Sequence, residues 1–246
     1  MKTLFIVAIT LGTLPVIAEN KTDWYLVMPN GRPRYFQSMT ADERGTIKGV
    51  SPGRTQSFTR RQYKVAVTPK PKGVKAAESR LSKGDFQGAV NVIEKVYDDR
   101  KWLGWGAHMA YLRGRCYLKL GNPAEAEAAL RDGRKYPANG ESPNRLGMLL
   151  VELLIEQDKL DEAENLVKKM RPTGPDDATP IYNARGKVLS ARGKKDMAVL
   201  SYLKTILLYP NDPNAKYAYQ QVVALLRELN DKRADDFQEE LNRRYN

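Results

Sequence analysis

A repeated segment restricts the possible folds of this chain more than any other feature. The run LSKGDFQGAVNVIEKV begins at Leu81, related runs begin at Leu118, Ile155 and Ser190, and a weaker one begins at Leu226. Their aligned alanines are Ala89, Ala126, Ala163, Ala198 and Ala234, separated by 37, 37, 35 and 36 residues. A period of this length is typical of solenoids, in which each unit packs on its neighbours.

Inside the runs, small residues recur where two helices would touch, together with large apolar residues and a closing proline. The second unit has Gly114, Tyr117, Gly121, Ala126 and Pro137, and the fourth has Gly186, Leu189, Gly193, Ala198, Tyr202 and Pro210. The third keeps Leu154, Leu160, Ala163, Val167 and Pro175 but has Val151 and Asp158 in place of small residues. This pattern resembles the tetratricopeptide repeat family over about 170 residues. The resemblance implies a mainly α fold, with about five helix-turn-helix units in an α-α superhelix over residues 76–246.

Two glycines fall inside predicted helices, where glycine costs about 1 kcal/mol relative to alanine. Gly114 and Gly186 therefore need a packing reason, and close approach of a neighbouring helix provides one. A leucine at position 186 should overpack the helix pair by about 1 to 3 kcal/mol.

The last stretch, Asp231 to Asn246, is charged at most positions, with Ala234, Phe237 and Leu241 spaced by three and four residues. This spacing predicts one narrow buried stripe on a solvated helix. We interpret this segment as the C-terminal cap that a repeat array requires.

Residues 1–18 have the layout of a secretory signal peptide, with Lys2, an apolar stretch from Leu4 to Leu14, and small or branched residues up to Ala18. The stretch is shorter than the roughly 20 apolar residues of a spanning helix. We therefore predict cleavage after Ala18 and export to the periplasm, the cell envelope or the medium. A retained N-terminal anchor is the alternative. After cleavage we expect no transmembrane span.

Positive charge is concentrated near the N-terminus of the predicted mature chain. The formal net charge is +12. Residues 19–75 hold twelve Lys and Arg against four Asp and Glu, whereas residues 76–246 hold 28 against 25. The repeat region is thus nearly balanced, and a basic module precedes it.

Short aromatic and β-branched runs, separated by Asn-Gly and Pro-Gly signals, predict about five strands in residues 19–67. A module of this size suggests a small twisted sheet or a barrel of the Src-homology kind. Residues 68–75, which include the run TPKPKG, have no apolar periodicity and predict a stiff linker to the repeat domain.

The basic residues of the β module are interleaved with aromatic residues. They are Arg32, Arg34, Arg54, Arg60, Arg61 and Lys64. Arginine forms bidentate contacts with anions and aromatic rings provide stacking faces, so an anionic envelope glycan or lipid surface could bind here. Export argues against nucleic acid as the partner. The simpler alternative is that the aromatic residues fill a small core and the charges solvate its rim.

The chain has one histidine, His108, and one cysteine, Cys116. On one helix they would lie about 12 Å apart along the axis, too far apart to act as nucleophile and base. One histidine excludes a multi-histidine metal site, and the Gly104-Trp105-Gly106 run lacks the context of a phosphate-binding loop. We therefore expect no enzymatic activity, no metal and no cofactor. Cys116 is interpreted as a buried filler.

The resemblance also implies a concave groove lined by the first helices of successive units. The corresponding positions are His108, Tyr111, Arg115, Lys119, Arg145, Met148, Glu152, Asn183, Lys187, Lys216 and Tyr219. Such a set suits an extended or helical peptide that carries acidic residues. The alternative is that some of these side chains, Met148 and Tyr111 in particular, pack between helices. The set departs from the carboxylate clamp of the family, which argues against recognition of a free C-terminus.

The main functional hypothesis is an exported scaffold for protein-protein interaction that serves the assembly of a bacterial envelope or surface structure. A second hypothesis is an adaptor whose basic β module holds an anionic envelope polymer or lipid surface. A third, an unrecognised enzyme, requires paired carboxylates in a deep pocket.

Overall fold

A computed structural model describes residues 23–137, 144–172 and 174–245 of the chain. The predicted signal peptide lies outside these residues. The described part has six short strands followed by five helical hairpins. In this part of the chain, no helix is both long and apolar enough to cross a membrane.

The N-terminal module contains two three-stranded antiparallel sheets. The strands are β1 (Trp24–Val27), β2 (Pro33–Phe36), β3 (Ser38–Ala41), β4 (Ile47–Ser51), β5 (Arg54–Phe58) and β6 (Val65–Val67). The first sheet has the order β2-β1-β6 and the second the order β3-β4-β5. Their inward side chains share one core, which includes Leu26, Phe36, Met39, Ile47 and Phe58. The module is therefore a small β domain, as predicted, and consists of two sheets packed on one core.

The number of strands exceeds the predicted five because one run divides. The run RYFQS spans β2 and the start of β3, and only Gln37 separates the two strands. One chain segment thus passes from the first sheet to the second. Phe36 and Met39 are both buried although they are three residues apart, so the alternation shifts by one residue at this bend. No glycine or proline lies between the two strands to mark the bend in the sequence.

The helical region begins at Lys72, inside the segment predicted as linker. Its ten helices are α1 (Lys72–Ser82), α2 (Phe86–Arg100), α3 (Gly106–Lys119), α4 (Pro123–Gly133), α5 (Asn144–Glu156), α6 (Leu160–Lys169), α7 (Pro175–Ala191), α8 (Lys195–Leu208), α9 (Ala215–Glu228) and α10 (Arg233–Tyr245). Pro71, with φ −60° and ψ 145°, precedes the first helical residue. A proline can precede a helix without loss of a helical hydrogen bond, and the non-helical connection is thus limited to residues 68–71.

The five hairpins share the same turn geometry. Their turns contain one residue in the left-handed region, namely Gly84, Gly121, Asp158, Gly193 and Asn230, with φ between 55° and 79°. Asp158 thus takes the conformation of the glycine that it replaces. Aspartate and asparagine tolerate this region better than other non-glycine residues.

The repeated small residues lie where the helices of each hairpin touch. Ala89, Ala126, Ala163 and Ala198 are fully buried, and Ala234 is 3% exposed. A Cβ atom at Gly114 would lie 2.7 Å from the Leu130 side chain, and one at Gly186 would lie 2.6 Å from the Tyr202 ring. The predicted packing reason for both helical glycines is therefore confirmed.

The last helix closes the array. Ala234 is buried, and Phe237, Leu241 and Tyr245 are partly buried against the cluster formed by α8 and α9. The remaining positions of α10 are largely polar and exposed. This is the single buried stripe expected of the C-terminal cap.

The connection between α2 and α3 joins the β module to the helical region. It contains a π-helical turn, Lys101–Trp105, in which Gly104 has φ 92°. Leu103 is 1% exposed and belongs to the core of the β module. The indole Nε1 of Trp102 donates a 3.0 Å hydrogen bond to the carbonyl oxygen of Glu43. The β module therefore packs directly on the first two hairpins.

Candidate functional site

Two first helices, α5 and α7, present matching stripes of side chains. Arg145, Met148 and Glu152 are three and four residues apart on α5, and Asn183 and Lys187 are four apart on α7. Residues at these spacings lie on one face of a helix. The two stripes meet in a pocket of about 290 Å³ between α5, α7 and α9.

The pocket combines an apolar wall with charged groups at its mouth. Four of the predicted groove residues, Met148, Glu152, Asn183 and Lys187, line it, and Pro180, Ala184, Asn214 and Tyr217 complete it. The Lys187 Nζ lies 4.0 Å from Glu152 Oε1, and both side chains are about half exposed. Such an exposed pair contributes little to stability, so both groups can rearrange toward a ligand.

Asn183 forms part of the pocket wall and is 8% exposed. Its Nδ2 donates a 3.1 Å hydrogen bond to the carbonyl oxygen of Asn214, and its Oδ1 accepts one of 2.8 Å from the Thr205 hydroxyl. These bonds tie α7 to α8 and to the start of α9. Asn183 therefore fixes the shape of the pocket.

A cluster of two arginines and a tyrosine continues the groove between α3 and α5. The Arg145 Cζ lies 4.4 Å from the centroid of the Tyr111 ring, and the Arg115 Cζ lies 5.7 Å from it. Cation-π contacts of this kind hold a guanidinium over the face of the ring. The cluster favours an anionic group on a bound partner.

His108, predicted to line the groove, is 8% exposed. Its Nε2 lies 2.8 Å from Glu78 Oε1, and Lys70 Nζ lies 2.9 Å from the same oxygen. Burial tends to raise the pKa of Glu78, but hydrogen bonds from Lys70 and His108 outweigh it and hold this pKa below its ordinary value. Helix α1 therefore covers this end of the groove, which the sequence pattern of α3 alone does not show.

The sequence prediction chose the wrong face of α9 for the groove, because Lys216 and Tyr219 face α10. Tyr219 is 3% exposed, and its ring lies 6.1 Å from that of Tyr245 on α10. Lys216 also points toward α10, with its Nζ 5.9 Å from the Tyr245 ring. Tyr217, which lines the pocket, is two residues from Tyr219 and therefore about 200° away around the helix. Lys119 is exposed in the last turn of α3.

Four pocket residues were missed by the sequence prediction. Pro180 and Ala184 are three residues from Asn183 and from Lys187, so helical spacing from the predicted positions could have found them. Asn214 precedes α9 and Tyr217 lies in its first turn. Their placement depends on how the α8–α9 connection folds, which the repeat spacing does not give.

The predicted basic residues of the β module lie in different strands and turns, and two of them form hydrogen bonds within the module. Arg34 Nη2 donates a 2.6 Å hydrogen bond to Gln56 Oε1, and Arg60 Nη1 donates one of 2.7 Å to the carbonyl oxygen of Tyr63. Arg54 lies at the β4–β5 turn. Arg32, Arg61 and Lys64 are exposed.

No group of three or more His, Cys, Asp and Glu side chains that could hold a metal ion occurs among residues 23–137, 144–172 and 174–245. Cys116 is fully buried, as predicted.

The geometry defines a class of protein, a helical-repeat solenoid with a concave groove and an N-terminal β module. A tetratricopeptide repeat model matches residues 107–133, which form most of the α3–α4 hairpin. No curated protein is significantly similar in sequence to this chain.

Solved structures of tetratricopeptide-type proteins share the fold at low sequence identity. PilF of Pseudomonas aeruginosa superposes with a TM-score of 0.58 at 16% identity, over 70% of this chain and 74% of that one. MamA of AMB-1 superposes with a TM-score of 0.52 at 18% identity, over 70% of this chain and 89% of that one. A putative kinesin light chain of Podosopora anserina superposes with a TM-score of 0.54 at 16% identity, over 69% of this chain and 91% of that one.

The helical part of the chain is therefore a tetratricopeptide repeat domain in fold, and its α3–α4 hairpin is a tetratricopeptide repeat in sequence. Domains of this type are generally non-enzymatic scaffolds that bind protein partners. A protein partner is thus what the fold implies for this chain.

Proposed function

We propose that this chain is an exported scaffold that holds an acidic segment of a partner protein in the groove formed by α3, α5 and α7. The observation that carries the proposal is the pocket beside Lys187, with the Arg115–Tyr111–Arg145 cluster further along the same face. Among these groups three cations stand against one carboxylate, that of Glu152.

The pocket defines what the bound segment should contain. Met148, Pro180, Ala184 and Tyr217 offer an apolar wall, which suits one large apolar side chain of the partner. Arg145 lies one helical turn before Met148 on α5, so an acidic residue of the partner would follow within about one turn of a bound helix.

Export and a role in the assembly of an envelope or surface structure belong to the same proposal. Their support is the apolar stretch of residues 4–14 and the small residues that end at Ala18. N-terminal sequencing of the protein recovered from its own host tests this part. A chain that begins at Glu19 is expected, and recovery of intact Met1 from the cytosolic fraction would contradict export.

The groove is tested by quantitative capture from an envelope extract. Lys187→Glu and Tyr217→Ala change the charge and the apolar wall of the pocket, and both side chains are at the surface. We expect each to lower the recovery of the same partner about tenfold or more. Lys204→Glu is the matched control, because Lys204 is exposed on the second helix of its hairpin, outside the groove. Equal losses in the control and the groove variants would contradict the proposal.

A further inference from the structure

One sheet of the β module has apolar side chains on both faces. The register of β1 with β2 and β6 pairs Leu26 with Ala66, and Trp24 with Phe36, on the inward face. The alternate positions therefore point outward. They are Tyr25, Val27, Pro33, Tyr35, Val65 and Val67, which we name the outer face of the first sheet.

The second sheet provides an internal comparison. Its inward positions include Met39, Ile47 and Phe58, all of which are buried. Its outward positions are Ser38, Thr40, Lys48, Val50, Thr55 and Ser57. This is the polar outer face expected when one side of an antiparallel sheet is solvated. The first sheet departs from this rule at every outward position.

The helical region packs against this sheet along the edge strand β6 and leaves most of the opposite edge strand, β2, exposed. In the described residues, the Lys101–Trp105 turn contacts β6, Leu103 enters the core of the β module, and the indoles of Trp102 and Trp105 donate hydrogen bonds to Glu43 and Thr68. Tyr35, in the edge strand β2, remains 40% exposed. The outer face of the first sheet is thus an apolar surface that the described residues leave open in part.

Two features of this face indicate its occupant. The rings of Tyr25 and Tyr35 lie side by side, with centroids 5.4 Å apart, and tyrosine is enriched where membrane proteins meet the lipid-water interface. Arg32, in the β1–β2 turn, and Lys64, which precedes β6, are exposed at the end of the sheet where Val27 pairs with Val65. An apolar face with cations at its rim is the pattern of a protein that lies on an anionic membrane.

Other occupants fit less well. A soluble anionic glycan would pair with Arg32 and Lys64 but would leave three valines and a proline uncovered. A second copy of the chain would need about 800 Å² from each partner for a stable interface. Such an interface involves about 20 to 30 residues on each side, whereas this face has six, four of them already partly buried.

We propose that the outer face of the first sheet docks the β module on an anionic lipid bilayer. The tyrosines and valines contact the interfacial region, and Arg32 and Lys64 contact lipid phosphate groups. This site is separate from the helical groove, so its failure would leave the proposed protein-binding function intact.

The test is co-sedimentation with vesicles, using a chain that begins at Glu19. This chain keeps every described residue and removes the apolar stretch, which could bind lipid by itself. We expect binding to vesicles that contain phosphatidylglycerol, weaker binding to pure phosphatidylcholine, and a decrease as salt is raised. Tyr35→Ser should weaken binding about tenfold, and Arg32→Glu combined with Lys64→Glu should do the same.

Val50→Ser is the matched control, because Val50 is 38% exposed, close to the value for Tyr35, but lies on the outer face of the second sheet. This variant should bind vesicles like the wild type. Circular dichroism of every variant establishes that the fold is kept. No binding to anionic vesicles, or equal losses in Tyr35→Ser and Val50→Ser, would overturn the proposal. So would a dimer in sedimentation velocity that Tyr35→Ser dissociates, or binding to dextran sulfate that depends on Tyr35.

Discussion

The backbone of Gly186 lies against the ring of Tyr202. A Cβ atom at position 186 would be 2.6 to 2.7 Å from three atoms of this ring. Tyr202 is fully buried, and its ring also packs edge-on against Tyr217, with centroids 6.0 Å apart. Tyr217 lines the groove pocket. The glycine of the fourth hairpin therefore supports the position of a pocket residue through one aromatic ring.

Gly186→Ala should destabilise the protein even though alanine is the better helix former. The gain in helix propensity is about 1 kcal/mol, whereas overpacking against Tyr202 costs about 1 to 3 kcal/mol. Urea denaturation measures the difference. In a Tyr202→Ala background the same substitution should stabilise the protein, because the ring is absent. If Gly186→Ala had the same effect in both backgrounds, the packing explanation would be wrong.

Leu103→Ala should destabilise both parts of the chain together. Leu103 belongs to the helical connection but is buried in the β core, and loss of a buried leucine costs about 2 to 5 kcal/mol. Thermal unfolding followed by tryptophan fluorescence near the junction and by helical circular dichroism should give coincident transitions, both shifted down. Leu207→Ala, at a position that is 71% exposed, is the control and should change the midpoint little. Two separate transitions in the wild type would argue against joint unfolding.

The stability that Glu78 contributes should be lost in acid. Its pKa is held below the ordinary value of 4.5 in the folded chain, where burial is outweighed by hydrogen bonds from Lys70 and His108. The contribution of the Glu78 carboxylate to the free energy of unfolding is therefore fully present above the pKa of Glu78 in the unfolded chain. It is lost as the pH falls through the pKa of Glu78 in the folded chain. Glu78→Gln should cost about 1 kcal/mol at neutral pH and progressively less below pH 4.5. Urea denaturation of both proteins at several pH values measures this, and a constant difference would contradict it.

Local patterns gave the hairpins and part of the groove. The period that aligns Ala89 with Ala198 predicts the second helices because close packing requires small residues at equivalent positions. Met148 and Lys187 were predicted by the same repeat spacing, and both line the pocket. Asp158 shows that the turn keeps its left-handed conformation even where glycine is replaced.

Contacts between distant segments could not be found in this way. His108 is covered by α1, and Tyr219 by α10, because the two ends of the array are closed by different partners from those inside it. Nothing in the pattern around Leu103 distinguishes a residue of the helical core from one that enters the β core. The apolar outer face of the first sheet became visible only when the pairing register assigned Tyr25 and Tyr35 to one side.

Cys116 should report global unfolding of the helical region. The thiol is fully buried, and burial raises its pKa although the nearby Arg115 opposes the shift. Because the thiolate is the reactive form, labelling by a disulfide reagent at pH 8 should be slow in the native protein and fast in denaturant. The labelling rate should rise with the denaturant transition seen by circular dichroism. Leu130 packs against Gly114, which lies on the same helix as Cys116. Leu130→Ala opens space there and should raise the labelling rate of the native protein. Fast labelling of the native wild type would show that the α3–α4 hairpin opens without global unfolding.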